Sequence, residues 1–135
     1  MSFVLDASIA LSWCFIDEET ELSHALLNRL EKDTAQVPQI WFLEVSNVLV
    51  MAEKKQRISI AKISEFVSLL QALPIYVDNE TANRGLHEIL FLAQSQKITT
   101  YDASYLELSM RLGKPLATKD KCLQEAARKL GVTIL

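Results

Sequence analysis

Apolar residues along this chain follow two rhythms that alternate from one end to the other. Short β-rich runs stand at Phe3-Val4-Leu5, Ala35-Gln36-Val37, Ile75-Tyr76-Val77, Pro115-Leu116-Ala117 and Val132-Thr133-Ile134. Between them lie longer stretches of helical period. Leu22, Ala25, Leu26 and Leu30 form one stripe; Ile40, Leu43, Val48 and Met51 a second; Ile63, Phe66, Leu69, Leu70 and Leu73 a third. The period returns from Asn79 to Gln96 through Ala82, Leu86, Ile89, Leu90 and Ala93, then at Tyr105, Leu108 and Leu112, and at Leu123, Ala126, Ala127 and Leu130. Gly113 and Gly131 stand where helix ends need a residue tolerant of the left-handed conformation. Strands spaced by helices pair in parallel, and strands that are apolar throughout need cover on both faces. The expected fold is therefore α/β: a three-layer α/β/α sandwich with a parallel sheet of about five strands.

Composition narrows this picture. The chain has 135 residues, half of them hydrophobic, with three Gly and three Pro and no repeat or low-complexity run. That predicts one domain over residues 1–135, without a linker. No apolar stretch has the length of a membrane span and no leader pattern precedes Ser2-Phe3-Val4-Leu5, so a soluble, cytoplasmic protein is expected. Cys14 and Cys122 lack metal-ligand spacing and read as buried free thiols, and His24 and His87 have no second ligand nearby. A net charge of −3, from 14 basic and 17 acidic residues, neither advertises nor excludes a nucleic-acid partner.

In open sheets of this kind, ligands bind beyond the carboxyl ends of the strands. Asp6 directly follows the first strand and Asp120 follows the fourth, in Leu116-Ala117-Thr118-Lys119-Asp120. Asp102, in Thr99-Thr100-Tyr101-Asp102-Ala103, begins the helix before that fourth strand, and Glu44 interrupts the otherwise apolar Ile40-Trp41-Phe42-Leu43-Glu44-Val45. Each Asp has a plain alternative as a helix N-cap, and Glu44 as a surface residue. Capping and metal binding are compatible, because a helix N-terminus favours the ionised carboxylate that a metal requires. Carboxylates about 4 Å apart repel by roughly 4 kcal/mol per pair at an effective dielectric near 20, so such a cluster calls for a cation or a proton. Oxygen ligands without His or Cys select Mg²⁺ or Mn²⁺ over zinc, which suits phosphodiester hydrolysis.

These residues, in this order, resemble the PIN-domain nucleases, and the words around them are similar to the VapC-type toxins of bacterial toxin–antitoxin pairs. The similarity runs through Val4-Leu5-Asp6-Ala7-Ser8, Val37-Pro38, Glu44-Val45-Ser46-Asn47-Val48-Leu49, Thr100-Tyr101-Asp102-Ala103-Ser104-Tyr105-Leu106-Glu107-Leu108 and Leu116-Ala117-Thr118-Lys119-Asp120-Lys121. The resemblance implies that Asp6, Glu44, Asp102 and Asp120 are a catalytic quartet holding Mg²⁺ or Mn²⁺ directly or through water. It implies positions beside the acids or phosphate for Ser8, Asn47 and Thr118, with a local turn or cap bond as the alternative for Ser8 and Thr118. Lys119 departs from the family, which often has a small polar residue there. The resemblance further implies an endoribonuclease acting on structured RNA, a homodimer, and a cognate antitoxin protein that inhibits it. Lys54, Lys55, Arg57, Lys119 and Lys121 are candidate RNA contacts, with a solvated face as the alternative reading.

Two other classes compete. A phosphoacceptor signalling domain would use Asp78, Thr118 and Lys119, but it wants an adjacent acidic pair after the first strand, where this chain has Asp6-Ala7-Ser8. A non-catalytic module that binds RNA or protein would keep the fold without needing the intact quartet.

Overall fold

The structure is a computed structural model that describes all 135 residues. Four strands, β1 (Ser2–Leu5), β2 (Thr34–Pro38), β3 (Ile75–Asp78) and β4 (Leu116–Ala117), form one sheet in the order β3-β2-β1-β4. Every pairing is parallel, with Phe3 opposite Ala35 and Leu5 opposite Ala117 in register. Phe3, Val4 and Leu5 are consecutive and all fully buried, which in a pleated strand requires cover on both faces. Helices provide it. The first group is α1 (Ala7–Ser12), α2 (Glu21–Arg29), α3 (Ile40–Lys54) and α4 (Ile60–Ala72), in which α1 touches both α2 and α3. The second is α5 (Thr81–Arg84), α6 (Leu90–Gln96), α7 (Thr100–Leu112) and α8 (Lys121–Lys129), in which α7 touches α6 and α8 and lies on β1 and β2.

The fold class is as the periodicity implies, and three local features differ. The fifth strand shrinks to one bridge between Leu116 and Ile134. Its first residue is committed elsewhere: the Val132 N–H donates to Ala127 O, closing α8 around Gly131 at φ 78°, so the ladder begins too late to extend. The helix expected from Asn79 to Gln96 is broken in register by a π-helical turn at Gly85–Ile89. That wide turn sets Ile89 and Ala93 against Ala103 of α7 and leaves Leu86 exposed. A short helix, α1, follows Asp6 where only the site residue was expected, because Ala7, Ile9, Ala10 and Leu11 form a continuous buried surface.

Cys14 is buried as expected, but Cys122 is exposed on the first turn of α8, since Leu123, Ala126 and Ala127 take the inward face. The two tryptophans are structural: Trp41 is a core residue set edge-on to Phe42, and the Trp13 indole N–H donates to Ser23 O at 2.8 Å. No helix is long and apolar enough to cross a membrane.

Candidate metal centre

Parallel strands present all their carboxyl ends at one edge of the sheet, and that edge collects the acids. Leu5 and Ala117 are register partners, and the Asp6 N–H donates to Ala117 O at 3.0 Å, so the residues following β1 and β4 leave the sheet side by side. Asp6 is 6% exposed, and its Oδ2 accepts from the Thr118 hydroxyl at 2.6 Å and the Ser8 hydroxyl at 2.7 Å. Both hydroxyls are themselves fixed, because Thr118 Oγ1 accepts the Asp120 N–H and Ser8 Oγ accepts the Lys119 N–H. Glu44 lies in the second turn of α3, half-buried, and the Tyr105 hydroxyl donates to its Oε1 at 2.5 Å. Asp102 is the third residue of α7 and Asp120 immediately precedes α8.

The capping alternatives separate cleanly. Asp120 is a cap: its Oδ1 accepts the Leu123 N–H at 3.0 Å. Asp102 is not, because Thr99 caps α7 by accepting the Asp102 N–H. Asp6 occupies the position before α1 but makes no side-chain cap bond, its oxygen being held by Ser8 and Thr118 instead.

The acids lie in one another's field. Burial first, then Asp120 and Asp6, push Asp102 up to about 6. Glu44 is raised by burial, with the Tyr105 hydrogen bond opposing and Asp6 and Asp102 adding to the rise. Asp6 is raised by burial and slightly by Asp120, against the Thr118 and Ser8 hydroxyls and the Ala7 N–H. Burial, followed by Asp6 and Glu44, keeps the Tyr105 phenol firmly protonated, as a donor to Glu44 must be.

No three acidic, His or Cys side chains stand close enough together to close a coordination shell by themselves. Mg²⁺ keeps several waters and takes one or two carboxylates, so a shell completed by water and phosphate suits this donor set. The all-oxygen chemistry and the raised acids, whose charged forms a cation would stabilise, both fit a hard divalent ion.

That field has a consequence for stability. An acid whose folded pKa is raised binds its proton more tightly folded than unfolded, so stability falls as pH rises through the interval between the two values. For Asp102 that interval runs from 3.8 to about 6. The depressed acids, Asp33 and Asp78, contribute stability above the ordinary carboxylate range and lose it only as pH drops through their lowered values. Between pH 5 and 7 they are flat. Metal-free protein in EDTA should therefore melt at a higher temperature at pH 5 than at pH 7, and Mn²⁺ should raise the midpoint more at pH 7 than at pH 5. A midpoint in EDTA that climbs steadily from pH 5 to 7 would contradict the shared field.

Of the basic residues considered for RNA, two are engaged within the chain. Arg57 pairs with Asp17 and Glu18 and sits over the Phe15 ring, and Lys119 Nζ donates to Glu18 O at 2.9 Å. Lys54, Lys55 and Lys121 are exposed. Asn47 is exposed and makes no hydrogen bond to Glu44; it lines a hollow that Glu44 and Tyr101 share. Asp78, the third strand-end acid, is held by Arg111 through a two-point contact, Nη1 to Oδ1 at 3.1 Å and Nη2 to Oδ2 at 2.6 Å. The sequence does not show the roles of Tyr105, which holds Glu44, and Arg111, which holds Asp78. Tyr105 lies one helical turn beyond Asp102, a spacing that puts both on one face of α7 and was the available signal.

The model of the PIN domain family matches residues 3–129, and the chain belongs to that family. PIN domains are generally nucleases. Among solved structures, PAE2754 from Pyrobaculum aerophilum is similar, with a TM-score of 0.69 and 22% identity over 96% of this chain and 95% of that one. VapBC2 from Rickettsia felis, bound to a DNA fragment from its promoter, is similar with a TM-score of 0.70 and 14% identity over 100% and 98%. At these identities the likeness is one of fold. No curated protein matches the chain significantly.

Proposed function

We propose that this chain is a Mg²⁺- or Mn²⁺-dependent endoribonuclease of the VapC toxin type, with Asp6, Glu44, Asp102 and Asp120 as its acidic site. The observation that carries the reading is the convergence of acids at the carboxyl edge of the sheet, where Asp6 follows β1 beside the end of β4 that leads to Asp120, and where burial, with the charges of neighbouring acids added to it, raises Asp6, Glu44 and Asp102. A hard divalent ion there would supply Lewis acidity: charge neutralisation at a scissile phosphate and a water nucleophile at neutral pH.

The chain's own residues do the positioning. Thr118 and Ser8 orient Asp6 through two hydroxyl donors to one oxygen. Tyr105 pins one oxygen of Glu44 and leaves the other free. Asp120 uses Oδ1 to start α8, which leaves Oδ2 for a ligand. Such outer partners typically change metal affinity or activity by about 10- to 100-fold when removed. Asn47 shares a hollow with Glu44, where its amide can hold a bound water or contact substrate. The signalling alternative loses its acid, because Asp78 is bound by Arg111.

The toxin assignment rests on the sequence similarity around the four acids together with the fold, and it brings a homodimer, an RNA substrate and a cognate antitoxin as partners. Calorimetry with Mn²⁺ tests the centre without the right RNA: wild type should bind, and folded Asp6→Asn and Glu44→Gln should not. Incubation with structured RNA should then give cleavage in Mg²⁺ and none in EDTA. Retained Mn²⁺ binding in both variants would refute the site, and metal-independent cleavage would refute the mechanism.

A further inference from the structure

Beside Glu44, α3 and the start of α7 border a shallow hollow of about 540 Å³, a size within the common range of ligand sites. Its apolar wall comes from Ile40, Leu43 and Val50 of α3, and Tyr101 lines it from α7. Glu44 and Asn47 lie in it as well, so the hollow and the acidic site share Glu44. The surfaces are unusually open for such side chains: Leu43 is 67% exposed, Tyr101 58% and Val50 50%. No Lys or Arg contributes to the lining.

We infer that this hollow is a nucleobase subsite, in which an unpaired base next to the cleaved bond stacks on the Tyr101 ring against the Leu43 and Val50 side chains. This rests on the nuclease reading and adds to it the feature of RNA that the site selects. The chemistry favours a base over other occupants. A lining without a cation, next to several acids, repels phosphate and acidic peptide but tolerates the neutral π-face of a base. Tyr101 and Glu44 line the same hollow, so a phosphate held at the acids has its adjoining nucleoside within reach of that ring. Asn47 offers an amide donor and acceptor for a base edge, the pattern by which single-stranded RNA is read. A base paired within a helix cannot enter such a hollow, so cleavage should fall in loops or splayed single strands.

The chain has three tyrosines, which makes the test direct. Tyr105 is buried and Tyr76 is exposed on β3, so the ring signals of ¹³C-tyrosine-labelled protein give Tyr101 with an exposed internal control. The probe is adenosine, which has a base and no phosphate, titrated in EDTA; the Tyr101 ring signals should move upfield by ring current while those of Tyr76 stay. With Ca²⁺ in place of Mg²⁺ to slow turnover, Tyr101→Leu should weaken binding of a mixed-sequence single-stranded RNA about 5- to 150-fold, the range for one stacked base, while Tyr101→Phe keeps it. An unmoved Tyr101 ring, or equal RNA affinity in Tyr101→Leu and wild type, overturns the subsite. So does a Tyr101 signal that shifts with protein concentration alone, which would assign the hollow to a second copy of this chain. The two readings fail separately: loss of Mn²⁺ binding with an intact adenosine response condemns the metal centre alone, and intact Mn²⁺ binding with no adenosine response condemns the subsite alone.

Discussion

Asp102→Asn should abolish RNA cleavage and make the metal-free protein more stable. The two effects have one cause. Asp102 carries a charge that burial, Asp120 and Asp6 all disfavour, which is why it is pushed up to about 6. An amide of the same shape removes that charge and leaves the cap of α7 intact, because Thr99 supplies it. A shift of about two units corresponds to roughly 3 kcal/mol, which solvent screening at this partly exposed position reduces to about 1–2 kcal/mol. Against that stands the favourable interaction of an acid with a helix N-terminus, about 0.3–1 kcal/mol. Burial and repulsion together are the larger quantity, leaving a net gain near 1 kcal/mol and a melting midpoint in EDTA higher by about 3–5 °C at pH 7. At pH 5 the gain should shrink, since wild-type Asp102 is then largely protonated. Cleavage should fall by about 10²- to 10³-fold or more, as for loss of one group that stabilises developing charge. Calorimetric melting at both pH values, beside cleavage assays in Mg²⁺, checks this. A variant that is less stable than wild type in EDTA, yet correctly folded, would mean that Asp102 makes a structural contact outweighing the repulsion.

The origin of that repulsion was partly visible in the chain alone. Asp6 and Asp120 follow apolar runs that are short enough for strands, and parallel pairing then brings both to one edge. Glu44 could be singled out because a charged residue in so apolar a helix needs a reason. Its pairing could not: the spacing from Asp102 puts Tyr105 on the face of that acid, but nothing local links it to Glu44, 61 residues away. The same limit hid the Asp78–Arg111 pair, whose members are 33 residues apart and belong to different elements. Local pattern reports which face of an element is buried, whereas side-chain pairing depends on how two elements are docked. The π-helical turn is a related case: the apolar period from Ala82 to Ala93 is intact in the sequence, but packing on Ala103 forces a wider turn at Gly85–Ile89. The weak fifth strand failed for a different reason, because the cap of α8 and the strand compete for the Val132 N–H.

Arg111→Met should destabilise the fold by about 3 kcal/mol, near the lower end of the 3–5 kcal/mol measured when one member of a buried ion pair is removed. Arg111 joins two elements: it holds Asp78 at the end of β3 and, within α7, donates from Nε to Glu107 Oε1 at 2.8 Å. Glu107 is 8% exposed, so without Arg111 two carboxylates remain with poor access to water. Arg84 cannot replace it fully, since its Nε stands 3.6 Å from Glu107 Oε1 and has no hydrogen-bond partner. A loss of that size in a domain of 135 residues lowers the melting midpoint by roughly 10–15 °C. The triple variant Asp78→Asn, Glu107→Gln, Arg111→Met should recover most of the loss, because the penalty lies in the stranded charges rather than in the missing attraction. Acid titration separates this from simple loss of packing. The Arg111 hydrogen bond holds Asp78 below the ordinary carboxylate range, so its stabilisation is complete above that range and disappears as pH falls through the lowered value. Wild type should lose that increment on acidification, and Arg111→Met should not. A single variant that melts within a degree or two of wild type would show that Arg84 and solvent suffice for both carboxylates, and that α7 is held to β3 by apolar packing alone.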